Sequence, residues 1–178
     1  TWTAGFVAKS RALSVKAGHE PHTDVSPVTS PRAKALVIDL INSGVEQGAQ
    51  LLLDGRDVQV KGYEQGNFVG PTIFSQVSTD MRIYKEEVFG PVLAVICVDT
   101  LEEAIALVNA NPFGNGVGLF TQSGATARTF QHQINIGQVG INLPIPVPVP
   151  FYSVTGSRGS TLGGLGRLGH KAGQFATP

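Results

Sequence analysis

Residues 91–142 read PVLAVICVDTLEEAIALVNANPFGNGVGLFTQSGATARTFQHQINIGQVGIN, and the order of signals in this stretch decides the fold class. The apolar run Val92 to Val98 is followed by Thr100 with Glu103 three residues on, the pattern of a helix cap and its reciprocal partner. Leu101, Ala104, Ile105 and Val108 then recur at helical spacing, and Pro112 enforces a stop. Val117 to Thr121 is a second apolar run, Ser123 opens a second helix, and Val139 to Asn142 closes the series. The pattern is β-α-β-α-β. Short apolar strands joined by helices predict a parallel sheet covered on both faces, and therefore an α/β fold. Ligands of open α/β sheets bind beyond the carboxyl ends of the strands, which directs attention to Thr121, Asn142 and the loops after them.

Upstream of this stretch, residues 17–31 (AGHEPHTDVSPVTSP) lack periodicity and read as an ordered loop that ends by starting a helix. Ser30 can cap that helix and Pro31 suits its first position. Leu36, Val37, Leu40, Ile41 and Val45 then form one apolar stripe, with Gly44 and Gly48 as stop signals. Ala49 to Leu53, the turn Asp54-Gly55 and the alternating Val58 and Val60 predict a strand pair, and Phe68, Val69, Ile73 and Phe74 a further extended run. Downstream, Leu143 to Pro150 (LPIPVPVP) has proline at every second position, which removes too many backbone donors for a central strand. We expect a rigid extended loop. Its prolines are never three apart, so it does not fit the PxxP spacing of SH3-type ligands. The Gly-rich residues 154–173 carry no apolar period.

The composition narrows the function classes. The 178 residues suffice for one core, hydrophobic residues make up 42%, and 13 basic side chains balance 13 acidic ones. That balance speaks against a disordered polyampholyte and against a nucleic-acid partner. All the acidic residues lie at or before Glu103, while Arg128, Arg158, Arg167 and Lys171 follow it and read as ordinary solvated surface. One cysteine excludes a disulfide framework and any multi-cysteine zinc site, and no apolar run approaches the roughly 20 residues that span a bilayer. The chain starts at Thr1 with helical spacing already under way in Trp2, Phe6, Val7 and Leu13 and shows no targeting segment, so we expect a piece of a longer polypeptide.

Taken alone, the residues form no complete catalytic set and no metal site. Gly164 to Gly169 satisfies G-x-G-x-x-G, but without the preceding strand, following helix and acidic residue about 20 positions later that make a dinucleotide fingerprint. Cys97, among apolar neighbours, reads as packing inside a strand, and His19 and His22 with Asp24 as a solvated loop. Lys85-Glu86-Glu87-Val88-Phe89-Gly90-Pro91 differs, because two acids and an aromatic are fixed against a Gly-Pro break just before a buried strand. A carboxylate so held can accept two hydrogen bonds from a diol such as a ribose, and an aromatic face beside it can position a flat ring.

These residues resemble the aldehyde dehydrogenase superfamily. Glu86 to Val92 resembles its E-E-[IV]-F-G-P-V signature, Asn111-Pro112-Phe113-Gly114 its N-x-[YF]-G element, and Gly66 to Phe74 the strand before them. Asn142 to Pro150 and Thr155 to Ser160 are similar to one branch, the CoA-acylating methylmalonate-semialdehyde dehydrogenases. The resemblance implies an α/β fold like the family's catalytic domain, a mostly parallel sheet with flanking helices, incomplete here. Residues 1–178 would be part of that domain, 161–178 a divergent Gly-rich tail, and the coenzyme-binding domain absent.

In that family a cysteine thiolate attacks the aldehyde, hydride passes to NAD, and after decarboxylation CoA accepts the acyl group. The pathways are valine and pyrimidine breakdown, usually in the mitochondrial matrix of eukaryotes, and the enzymes are oligomeric. By resemblance Glu87 matches the carboxylate on the nicotinamide ribose and Phe89 the aromatic at the nicotinamide end. Asn142, Pro144, Pro146 and Phe151 match the wall of the substrate tunnel. The nucleophile lies upstream of Thr1, Cys97 does not match it, and no catalytic residue is assigned to this chain, whose partners would be the missing N-terminal half or other subunits. The sequence supports two expectations: a fragment of such an enzyme, inactive alone, or a non-catalytic descendant serving as a structural subunit of a larger assembly.

Overall fold

The computed structural model describes residues 2–147 and 156–160. Where the length suggests one core, the chain divides after Cys97 into two compact units, and each holds its own hydrophobic cluster.

The first unit is organised by two helices and a three-stranded sheet. Helix α1 spans Trp2–Arg11, and the loop after it is ordered by backbone pairing of Val15 with Val25 and by the Thr23 hydroxyl, which donates to the Glu20 carbonyl at 2.8 Å. Helix α2, Pro31–Glu46, begins as the sequence predicts, with the Ser30 hydroxyl accepting the Ala33 N–H at 3.1 Å. It buries Val37, Leu40, Ile41 and Gly44, spaced i, i+3, i+4 and i+7, while Leu36 and Val45 at the margins of the expected stripe are exposed. Gly44 is no stop signal. A Cβ there would lie 3.0 Å from Ile83 Cδ1 and 3.2 Å from the Phe74 ring, so the missing side chain lets α2 sit down on the sheet. The stop is Gly48 at φ +91°, whose N–H donates to Val45 while Ala49 N–H donates to Gly44, the two bonds of a Schellman end.

Strand β1 (Gln50–Leu53) does not turn back at Asp54-Gly55 as expected, and residues 58–60 form no strand. Its antiparallel partner is β2 (Thr72–Ser75). Gly55 explains the difference. Its N–H donates to Thr72 Oγ1, its carbonyl accepts the Gly70 N–H at 2.8 Å, and a Cβ would fall 2.0 Å from the Gly70 oxygen. Backbone laid on backbone thus overrides the local turn signal. β2 continues through the short helix α3 (Arg82–Lys85) into β3 (Val92–Ala94), which pairs with it in parallel. Phe74, Ile41, Val37 and Val69 are the floor of this core. At roughly 1.5–3 kcal/mol for each fully buried large apolar side chain, these residues dominate the unit's stability.

In the second unit the predicted order holds: α4 (Leu101–Ala110), β5 (Gly116–Leu119), α5 (Gly124–Gln133) and β6 (Gln138–Ile141), with a short β4 (Phe113–Gly114) before β5. Thr100 and Ser123 cap the helices by accepting the N–H groups of Glu103 and Thr126. Glu103 does reach back, but to the Asp99 N–H rather than to that of Thr100. β5 and β6 are parallel and joined through α5, and Val117, Leu119 and Val139 pack on the cluster of Ile105, Phe130 and Ile134. β4 pairs antiparallel with β7 (Ser157–Arg158), which joins two of the motifs singled out in the sequence. The fold class is α/β, as predicted. Strand β3 finds its parallel neighbour in β2, and the parallel pair β5–β6 forms a separate sheet.

Arg158 is not the solvated cation its sequence position suggested. Nη1 donates to the Asn135 carbonyl at 2.6 Å, and Nη2 to Phe113 at 2.6 Å and to Val108 at 3.2 Å. One guanidinium therefore ties the end of α4, β4 and the turn after α5 together, which the planar fork of arginine permits and a lysine ammonium does not reproduce. Replacing Arg158 with Met is expected to lower unfolding free energy by about 2–3 kcal/mol, because three carbonyls lose a charged donor, and Arg158→Lys is expected to recover only part of that. Gly55→Ala should cost about 3 kcal/mol or more through the overlap with Gly70. Urea denaturation midpoints check both.

Candidate functional site

The signature segment Glu86 to Pro91 leaves helix α3 at an extended residue, Glu86, and is pinned at several points before β3 begins. The Glu86 N–H donates to the Arg82 carbonyl at 2.8 Å, and the Pro91 carbonyl accepts the Thr72 N–H at 2.9 Å. Val88 packs against the core that Val37, Ile41 and Phe74 form. Gly90 is closest to it: a Cβ there would lie 2.9 Å from Val37 Cγ2. With Val88 turned inward, its two neighbours stand outward. Glu87 is exposed, and Phe89 has 75% of its surface free.

The two glutamates that the sequence left equivalent are now distinct. Glu86 is committed to Arg82, which donates to it from Nε at 2.7 Å and also meets Asp39 at 3.2 Å. That hydrogen bond holds the Glu86 carboxyl below the usual carboxylate range. Among the described residues nothing bonds to the Glu87 carboxylate, so its acceptor sites are free for a ligand. The signal was present in the sequence, since Arg82 stands four residues before Glu86, a helical ion-pair spacing.

The second group of predicted residues lies in the other unit. The side chain of Asn142 accepts the Thr121 N–H at 2.9 Å and donates to the Thr121 carbonyl at 3.0 Å, so both ends of its amide are engaged with backbone. The loop beyond it runs beside a column of glycines. Gly116 and Gly118 of β5 and Gly140 of β6 share the face opposite the helices, because Val117, Leu119 and Val139 face the cluster. A Cβ on Gly118 would come within 2.8 Å of the Leu143 oxygen, and one on Gly140 within 2.6 Å of it and 3.2 Å of Pro146 Cβ. Pro146 is half-buried, Pro144 is exposed, and Leu143, Ile145 and Val147 stand outward. Sequence reasoning did not identify the glycine column, although the spacing of Gly116 and Gly118 marks one strand face. Phe151, the prolines beyond Val147 and the Gly164–Gly169 motif lie outside the described residues.

Cys97 does not fill the core. The ladder of β3 ends at Ala94, with one further bond from the Val95 N–H to the Phe74 carbonyl, and the chain beyond leaves the sheet with Cys97 exposed. His19 is also exposed, with Nε2 at 3.2 Å from the Tyr63 hydroxyl.

The chain matches the Aldehyde dehydrogenase family over residues 1–177. It is 53% identical to the mitochondrial methylmalonate-semialdehyde/malonate-semialdehyde dehydrogenase [acylating] of Bos taurus over 99% of its own length and 33% of that protein. Among solved structures, methylmalonate-semialdehyde dehydrogenase from Oceanimonas doudoroffii superimposes with a TM-score of 0.94 at 39% identity, covering 98% of this chain and 36% of that one. The NAD+ complex of a Mycobacterium tuberculosis aldehyde dehydrogenase superimposes with a TM-score of 0.82 at 33% identity, covering 90% and 32%. This chain spans about a third of the length of the relatives it matches. On both sequence and architecture, it belongs to the aldehyde dehydrogenase family.

Proposed function

We propose that these residues are part of the catalytic domain of an NAD-dependent, CoA-acylating methylmalonate/malonate-semialdehyde dehydrogenase, acting in valine and pyrimidine breakdown in the mitochondrial matrix. One observation carries the reading: in a segment pinned by Val88 and Gly90, Glu86 is consumed by Arg82, while Glu87 is exposed and unpaired among the described residues, two positions before the exposed ring of Phe89. An ionised carboxylate with free lone pairs suits the vicinal hydroxyls of a ribose, and an accessible aromatic face suits a flat heterocycle. NAD, when bound, accepts the hydride. In this reading Glu87 orients the ribose, Phe89 limits the tilt of the nicotinamide end, and the loop from Asn142 through Pro144 and Pro146 to Phe151 bounds the passage of the aldehyde. CoA is the acyl acceptor. Relatives such as the mitochondrial bovine methylmalonate-semialdehyde/malonate-semialdehyde dehydrogenase support the branch and the compartment.

The attacking cysteine in this reading lies outside these residues, in the polypeptide or subunit that completes the site. Cys97 has no part in it.

Two measurements on the full-length enzyme test the assignment. Glu87→Gln keeps the shape of the side chain and removes its charge, and it should weaken NAD binding about 10- to 150-fold, the worth of hydrogen bonds to a charged group. An unchanged dissociation constant, read by calorimetry, removes Glu87 from the site. Cys97→Ser should leave turnover within about twofold of the parent, because the thioester forms elsewhere. Loss of an acyl-enzyme burst in that variant would reverse the assignment of Cys97.

A further inference from the structure

We infer that Asn142 is a positioning residue, one that fixes the path of the proline-rich wall without itself touching substrate; this rests on the reading of that loop as the wall of the aldehyde passage. The last ladder pair of the β5–β6 sheet is Leu119 with Ile141. Beyond it, Asn142 extends the pairing by three bonds: its own N–H donates to the Leu119 carbonyl at 2.7 Å, and its amide accepts from and donates to the backbone of Thr121. The backbone of Asn142 is left-handed, φ +57°, a region that asparagine tolerates far better than most side chains.

The consequence is a reversal. From Asn142 the chain turns back over the glycine column, with the Leu143 carbonyl beside Gly118 and Gly140 and the Pro146 ring against Gly116 and Gly140. The glycines set how close the loop lies, and the Asn142–Thr121 bracket sets where it starts. Together they decide where Ile145 stands, which is 70% exposed and the most open of the loop's described apolar side chains. With both ends of its amide engaged by backbone, Asn142 acts through the loop.

Three variants of the full-length enzyme test this, by kinetics and by hydrogen exchange. Asn142→Gly keeps the left-handed backbone but removes both bracket bonds, Asn142→Asp keeps the acceptor toward the Thr121 N–H, and Ile145→Ala alters the wall alone. Asn142→Gly should raise KM for the aldehyde about tenfold, with kcat and KM for NAD within about twofold, a split that general destabilisation does not produce. Asn142→Asp should fall between it and the parent, and it stands in for the glycine variant if that one fails to fold. Hydrogen exchange of the full-length enzyme should show the segment from Leu143 to Val147 exchanging about tenfold faster in Asn142→Gly than in the parent. If Ile145→Ala shifts the aldehyde KM while Asn142→Gly leaves KM and loop exchange unchanged, the positioning role is overturned and the wall reading stands. If Asn142→Gly loosens the loop but neither it nor Ile145→Ala moves KM, the wall reading is overturned instead.

Discussion

The close approach of Gly90 to Val37 is the constraint on which the candidate cofactor site depends. Helix α2 can present Val37 at that depth because Gly44, about two turns further along, lets the same helix settle onto Phe74 and Ile83. A side chain at either glycine would lift α2 or push the signature segment away. With both absent, Val88 locks into the core and the residues on either side of it are held outward without freedom to retreat. A ligand that meets Glu87 and Phe89 therefore meets side chains whose backbone has already lost its conformational freedom in folding, which lowers the ordering cost of binding.

The second unit solves a comparable problem with different means. Its sheet has only two described strands, too few to be stable as a bare ribbon, and each face has its own cover. Ile105, Phe130 and Ile134 cover the branched face, while a proline loop lies along the glycine face, where a side chain at Gly118 or Gly140 would hold it off. Proline suits that task, since a chain crossing a sheet face has no ladder to satisfy its N–H groups and proline brings none. The Arg158 fork adds a charged donor to the Val108 carbonyl, which already accepts the Asn111 N–H, and to the carbonyl of Asn135 in the turn after α5.

Much of this was legible in the sequence where the cause is local. Ser30, Thr100 and Ser123 cap helices because a hydroxyl three residues before a free N–H needs nothing from the rest of the chain. The signature around Glu87 and the element around Phe113 were legible as a family resemblance. Two misreadings share one cause, a local signal outweighed by a distant contact. Asp54-Gly55 carries a hairpin signal, but Gly70 and Thr72 take the backbone of Gly55 and give β1 its partner. Gly44 has the composition of a stop and the function of a packing site. Cys97 sits among apolar neighbours in the sequence, yet the strand ends before it. Which of two adjacent glutamates is free was decided by Arg82, a neighbour along the helix that the sequence reading passed over.

We propose that Glu87, unpaired among the described residues, receives the nicotinamide ribose. A crystal structure of the full-length enzyme with NAD tests it most directly. Both ribose hydroxyls are expected within hydrogen-bond reach of the Glu87 carboxylate, about 2.6–3.0 Å, with Glu86 still on Arg82. A ribose held by another side chain, with Glu87 left in solvent, would contradict it.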